Sequence, residues 1–143
     1  MKKMVIVIVL IAASVLWAAP ARGQGAQNFV GIWAVDYERT MEEAKKSPKY
    51  NAKEAAAMGE MMKRLMATMK VEFTTREMIY HRGGKTNAIP YTVKSNDGSK
   101  TILSCKAPRR DFEVVVTIRE GGLMNFKSSG SDDMDYYIWK RGK

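Results

Sequence analysis

From Lys70 onward, apolar and polar positions alternate with a period of two, the signature of half-buried strands. Val71 and Phe73 alternate with Lys70, Glu72 and Thr74; Met78 to Arg82 follows and stops at Gly83-Gly84. Ile89, Tyr91 and Val93 alternate with Ala88, Pro90 and Thr92, and Asn96-Asp97-Gly98 is a hairpin turn signal. Thr101, Leu103 and Cys105 mark the next strand. Phe112, Val114, Val116 and Ile118 form the most regular alternation in the chain. Gly121-Gly122 turns it into a short strand with Met124 and Phe126. A polar stretch from Ser128 to Asp133 leads to a last strand, Met134 to Arg141.

Upstream the pattern differs. Phe29 to Asp36 reads as one strand whose odd positions are Phe29, Gly31, Trp33 and Val35. A glycine inside a strand marks a bulge or the close approach of another group. Thr40-Met41-Glu42-Glu43 is a capping-box pattern, with Thr40 as N-cap, and Ser47-Pro48 ends that short helix. A second start lies at Asn51. In the run Ala52 to Met69, helical spacing gathers Met58, Met61, Met62, Leu65 and Met69 into one sector, opposite Glu60, Lys63 and Arg64. This predicts an amphipathic helix whose buried face is mostly methionine.

One strand, a helical pair and seven strands joined by short turns make a mainly β domain. Sequential antiparallel neighbours without a covering helix predict an eight-stranded up-and-down barrel, because closure removes exposed edges. The helical pair between strands one and two is expected to cover one end. Pro90 requires a bulge or rim position, since proline cannot sit in a fully paired central strand.

The N-terminus carries an export signal. Lys2 and Lys3 precede the apolar run Met4 to Trp17, and Ala19-Pro20-Ala21 supplies the small residues of a cleavage site. The run is shorter than the roughly 20 residues that span a bilayer. Cleavage is therefore expected after Ala21, with residues 22–28 as a flexible leader and residues 29–143 as one domain in the periplasm or outside the cell. No stable membrane anchor is expected. The formal net charge of the whole chain is +9, to which Lys2 and Lys3 contribute two. Export argues against nucleic acid as the partner of that charge and leaves attraction to anionic lipid or an acidic ligand. Cys105 is the single cysteine, so the domain holds no internal disulfide; Cys105 reads as a small buried residue.

Gly31-x-Trp33 in the first strand, with a basic residue at the end of the last, resembles the lipocalin and fatty-acid-binding-protein superfamily, the calycins. More closely the chain resembles small exported bacterial proteins described as lipocalin-like. The resemblance spans about residues 29 to 141. It implies that Arg141, or otherwise Lys140, packs across Trp33, a contact worth about 0.5–2 kcal/mol. It also implies small-molecule binding without chemistry.

Candidate site residues follow from the inward faces. Trp33, Val35, Val71, Phe73, Tyr80, Tyr91, Val93, Phe112, Val114, Val116 and Phe126 would line a barrel, with Tyr80 and Tyr91 as polar handles and Met58 and Met62 in a lid. The expected ligand is a lipid-like or other apolar or amphipathic molecule. The alternative is a barrel packed solid, serving as a structural or protein-interaction module such as an inhibitor or envelope factor. A rival of another class is Cu(I) binding by Met58, Met61, Met62, Met66 and Met69, since thioethers favour Cu(I). The same spacing is what a core stripe needs, so no metal or cofactor is expected. Asp132-Asp133-Met134-Asp135 lacks the spacing of a calcium loop and reads as a solvated turn. A lone His81 beside Arg82 and the absence of hydrolase, zinc-protease or phosphate-loop motifs argue against an enzyme.

Overall fold

The computed structural model describes residues 28–130 and 136–143. The expected signal segment, and the acidic run Asp132 to Asp135, lie outside the described residues. Eight strands close into an antiparallel barrel in sequential order, β1 (Gly31–Val35), β2 (Lys70–Phe73), β3 (Glu77–Arg82), β4 (Lys85–Asn96), β5 (Lys100–Lys106), β6 (Asp111–Arg119), β7 (Leu123–Ser128) and β8 (Trp139–Arg141). Two helices, α1 (Tyr37–Lys45) and α2 (Ala52–Ala67), separate β1 from β2.

The register sets the barrel's shape. Trp33 faces Val71 across one ladder and Arg141 across the other. Followed once around, the pairing returns to β1 displaced by about a dozen residues, so the strands tilt steeply and the bore is wide for eight strands. β4 is longer than its alternation predicts because it serves two ladders. It pairs with β3 from Lys85 to Pro90 and with β5 from Tyr91 onward. Pro90 stands at that changeover, where its missing N–H interrupts no continuous ladder. The bulge falls later, between Val93 and Ser95.

One end of the barrel is sealed by the start of the domain. The Arg141 guanidinium lies 4.1 Å from the centroid of the Trp33 ring. It also donates to the Val30 carbonyl at 2.6 Å and to the Asn28 carbonyl. The Trp33 indole N–H donates to the Phe29 carbonyl at 2.7 Å. Residues 28–30 are thus folded over Trp33, and Phe29 turns its ring edge-on to Phe73, 5.3 Å between centroids. Gly31 makes this possible. Its φ is +132°, and a Cβ there would meet Arg141 Nη1 at 2.5 Å.

The helices depart from expectation in two respects. Asp36, not Thr40, is the N-cap of α1, accepting from Arg39 N–H at 3.3 Å. Thr40 is instead fully buried within the helix. Its hydroxyl accepts from Ile138 N–H at 3.0 Å and donates to the Ile138 carbonyl at 3.3 Å. Trp139 joins the central cluster, so its neighbour Ile138 faces outward; it is buried yet stands outside that cluster. Hence α1 does not lie over the barrel end. It straps the outer wall at β8, where among the described residues β7 and β8 share only the Met124–Trp139 pair. Ion pairs of Asp36 with Lys140 (3.7 Å) and Glu43 with Arg119 (4.0 Å) flank the strap.

The second departure concerns α2. Asn51 caps it as expected, accepting from Lys53 and Glu54 N–H at 3.0 and 3.2 Å. Its packed face runs through Met62, Leu65 and Met66 into Met69, whereas Met58 and Met61 are exposed, by 44% and 60%. The helix is rotated by its contacts with α1. The Tyr37 hydroxyl donates to the Gly59 carbonyl at 3.4 Å, and Lys63 lies 5.9 Å over the Tyr37 ring.

Two substitutions test this arrangement. Gly31→Ala forces a side chain into a left-handed conformation and against Arg141. It should destabilise the domain by about 1–3 kcal/mol, read as a lower urea midpoint. An unchanged midpoint would show that Arg141 does not close over Gly31. Thr40→Val strands the Ile138 N–H and should cost about 1–3 kcal/mol by the same measurement; a cost near zero would remove α1's strapping role.

Candidate functional site at the helix-side mouth

The bore of the barrel is filled from wall to wall. Phe73 meets Phe126 edge-on at 6.2 Å, Phe126 stacks on Trp139 at 5.2 Å, and Trp139 meets Tyr80 at 6.5 Å. Val71, Leu103, Cys105, Val114, Met124 and Trp139 each retain 0% of their surface open to water. A chamber able to hold even one water would leave surface on the side chains lining it, so none borders these residues.

This sorts the sequence-predicted ligand residues into three groups. Trp33, Phe73, Tyr91, Val114 and Val116 are buried and spent on packing, as are Val35, Val71 and Phe126. Met58 and Val93 are exposed by 44% and 46% and do not join the core. Val93 lies on the stretch of β4 beside the bulge, which projects past the packed interior. Tyr80, Phe112 and Met62 are partly buried and pack against the core from its margin.

That margin has a location. Strands β3 and β7 end, and β4, β6 and β8 begin, at the end of the barrel opposite the Trp33–Arg141 seal. Tyr80 and Arg82 finish β3, Ile89 lies in the first half of β4, Phe112 stands near the start of β6 and Tyr136 precedes β8. Tyr80, Ile89, Phe112 and Tyr136 are the partly exposed apolar residues there, a shallow mouth over the filled bore. Sequence alternation named Tyr80 and Phe112. It gave no weight to Tyr136 and Tyr137, which lie where alternation lapses, or to Arg82.

The mouth is rich in donors. Tyr136 and Tyr137 hold their rings 4.9 Å apart, and Tyr137 meets Trp139 edge-on at 6.3 Å. Burial, then the neighbouring Tyr136, pushes the Tyr137 phenol up to about 12, while the charge of Arg82 pulls the other way. Burial likewise raises Tyr80, again against Arg82. Below these phenols the Trp139 indole N–H is buried without a hydrogen-bond partner among the described residues. A buried orphan donor costs about 1–3 kcal/mol, and among the described residues Asn96 Nδ2 is the one other buried side-chain atom in that condition.

The remaining candidates form no site. Burial drives the Cys105 thiol up to about 11, and Tyr91 donates to the Thr74 carbonyl. Among the described residues, no three His, Cys, Asp or Glu side chains gather as a metal site. The methionines of α2 divide between packed Met66, part-buried Met62, and exposed Met58 and Met61, and Met69 just beyond the helix is packed. No protein-family model matches the chain, and no curated protein or solved structure gives a significant match.

The buried acids set the alkaline behaviour. Cys105 rises from 9.0 to about 11, and Tyr91 and Tyr137 from 10.0 to about 12. Each is held neutral in the folded state, so the stability it lends is complete below the unfolded value. It is lost as pH climbs through the folded one. Stability should therefore hold up to about pH 9 and fall steadily towards pH 12. The Cys105 thiol should react with an aromatic disulfide reagent only after unfolding. Rapid modification of the native protein at pH 8, or flat stability to pH 12, would contradict the packing described.

Proposed function

We propose that this protein is a non-catalytic carrier of the lipocalin-like kind, exported from the cell. It holds a small amphipathic molecule at the mouth of the barrel and not within it. The observation that carries the reading is the buried, unpartnered Trp139 indole N–H beneath Tyr80 and Tyr137, at an end of the barrel where apolar core surface reaches solvent. An acceptor atom on a ligand would satisfy that donor, and the phenols of Tyr80, Tyr136 and Tyr137 would orient the polar part. Ile89, Phe112 and the side of α2 near Met62 offer apolar surface for the rest. Arg82 favours a ligand with an acceptor-rich or negatively charged head.

The lipocalin-like assignment is supported by the closed eight-stranded order and by Gly31-x-Trp33 with Arg141 across the indole. Such barrels hold a ligand in the bore when it is left open; here the aromatic fill moves recognition to the rim. Entry to the indole needs a rotamer change at part-exposed Tyr80, a motion expected of such side chains on a sub-microsecond scale.

Native mass spectrometry of the protein taken from its own cell tests this directly. The expected result is a small-molecule adduct that Tyr80→Phe combined with Trp139→Phe weakens by about tenfold, the loss of two hydrogen bonds. An adduct-free protein, or an adduct indifferent to both changes, would overturn the reading and favour a barrel that serves as an interaction scaffold.

A further inference from the structure

A second groove lies on the outer wall, on a different face from the mouth. Val71 and Tyr80 face the core, so Lys70, His81 and Thr86, which alternate with them, face outward. The register sets these three side by side, Lys70 opposite His81 and His81 opposite Thr86. Side chains on such a rung stand about 5 Å apart. The next outward rung is Ile32, Glu72, Ile79 and Ala88, largely apolar. The projecting β3–β4 hairpin with Lys85 bounds the groove on one side. Lys143 bounds it on the other, placed there because Gly142 N–H donates to the Ile32 carbonyl at 2.8 Å. The cleft between them has a volume of about 450 Å³.

Its side-chain charge is net positive. Lys70, Lys85 and Lys143 line the cleft with Glu72 as the one carboxylate side chain, and none of the three lysines forms an ion pair among the described residues. Elsewhere on the surface basic residues do find partners, as Lys46 does with Glu43, Arg64 with Glu60, and Lys94 with Glu113. The His81 ring is held by Nδ1 against the Thr86 hydroxyl at 3.1 Å, and both residues line the cleft. The floor carries Ile32, 39% exposed, an apolar surface beside the cations.

We infer that this groove binds a phosphate group carried on an organic body. The three ammonium groups that line the cleft match the charge and the several acceptor oxygens of a phosphate ester. The apolar rung accepts the carbon part. A phosphorylated lipid head group and a free phosphate monoester share this chemistry.

Two probes separate the sources: phenyl phosphate in solution, and phosphatidylcholine vesicles doped with phosphatidic acid. Binding of phenyl phosphate is followed through the amide resonances of Lys70, His81 and Thr86; binding to vesicles is followed by co-sedimentation. At physiological salt, Lys70→Gln with Lys85→Gln should weaken binding by about tenfold, and Lys143→Gln alone should weaken it measurably. Lys45→Gln with Lys53→Gln removes the same charge from the helices and should cost less than about twofold, because screening confines the effect to nearby groups. Response to both probes assigns the site to phosphate esters in general, and response to vesicles alone assigns it to a lipid head group. Equal losses in the two double variants would reduce the effect to net charge and overturn the inference, as would no response to either probe.

Discussion

A steeply sheared eight-stranded barrel has a wide bore, and the bore has to be filled. A void the size of one aromatic ring would cost several kcal/mol, about what Phe→Ala replacements cost in cores, and that is a large share of a small domain's stability. This chain fills it with rings from separate strands: Phe73 on β2, Phe126 on β7 and Trp139 on β8, with Phe29 folded in from the start of the domain. The Trp33–Arg141 contact then locks Phe29 in place, since the guanidinium that covers the indole also binds the carbonyls on either side of Phe29. Ring closure between β1 and β8, the fill of the bore and the seal at one end are one cooperative unit.

The functional picture follows from that fill. With the interior spent on stability, both proposed sites lie where packing ends. At the helix-side mouth, core rings reach solvent beside phenols and an unsatisfied indole. On the outer wall, the regular register lines up a basic rung over an apolar one. The helices contribute unequally. Met66 and Met69 extend the core, whereas α1 acts as a clamp, holding β8 through Thr40 where the β7–β8 ladder is thin.

What the sequence made legible is what local pattern determines. Period-two alternation located the eight strands, Asn51 announced α2, and Gly31-x-Trp33 with Arg141 foretold the closure. Three things depended on tertiary contacts and were not legible. Thr40 has every local mark of a cap, yet Asp36 takes that role because Thr40 is drawn onto Ile138. The methionines of α2 share one sector, yet the helix turns Met58 and Met61 outward because Tyr37 fixes its rotation. The contrast between a chamber and a filled bore depends on shear and on which rings meet across it. The same alternating aromatics are compatible with both. Tyr136 and Tyr137 escaped notice because the last strand expected from Met134 to Arg141 carries no alternation there, and β8 begins only at Trp139.

The claim on which the account rests is that the bore is solid and the mouth is where small molecules bind. Methyl- and ring-resolved NMR during titration with a long-chain amphiphile tests it most directly. The account predicts shifts confined to Tyr80, Ile89, Phe112, Tyr136, Tyr137 and the Trp139 indole N–H, with the methyls of Val71, Leu103 and Val114 unmoved. Large shifts at those three buried methyls, with the mouth silent, would contradict it and reveal a chamber that opens inside the barrel.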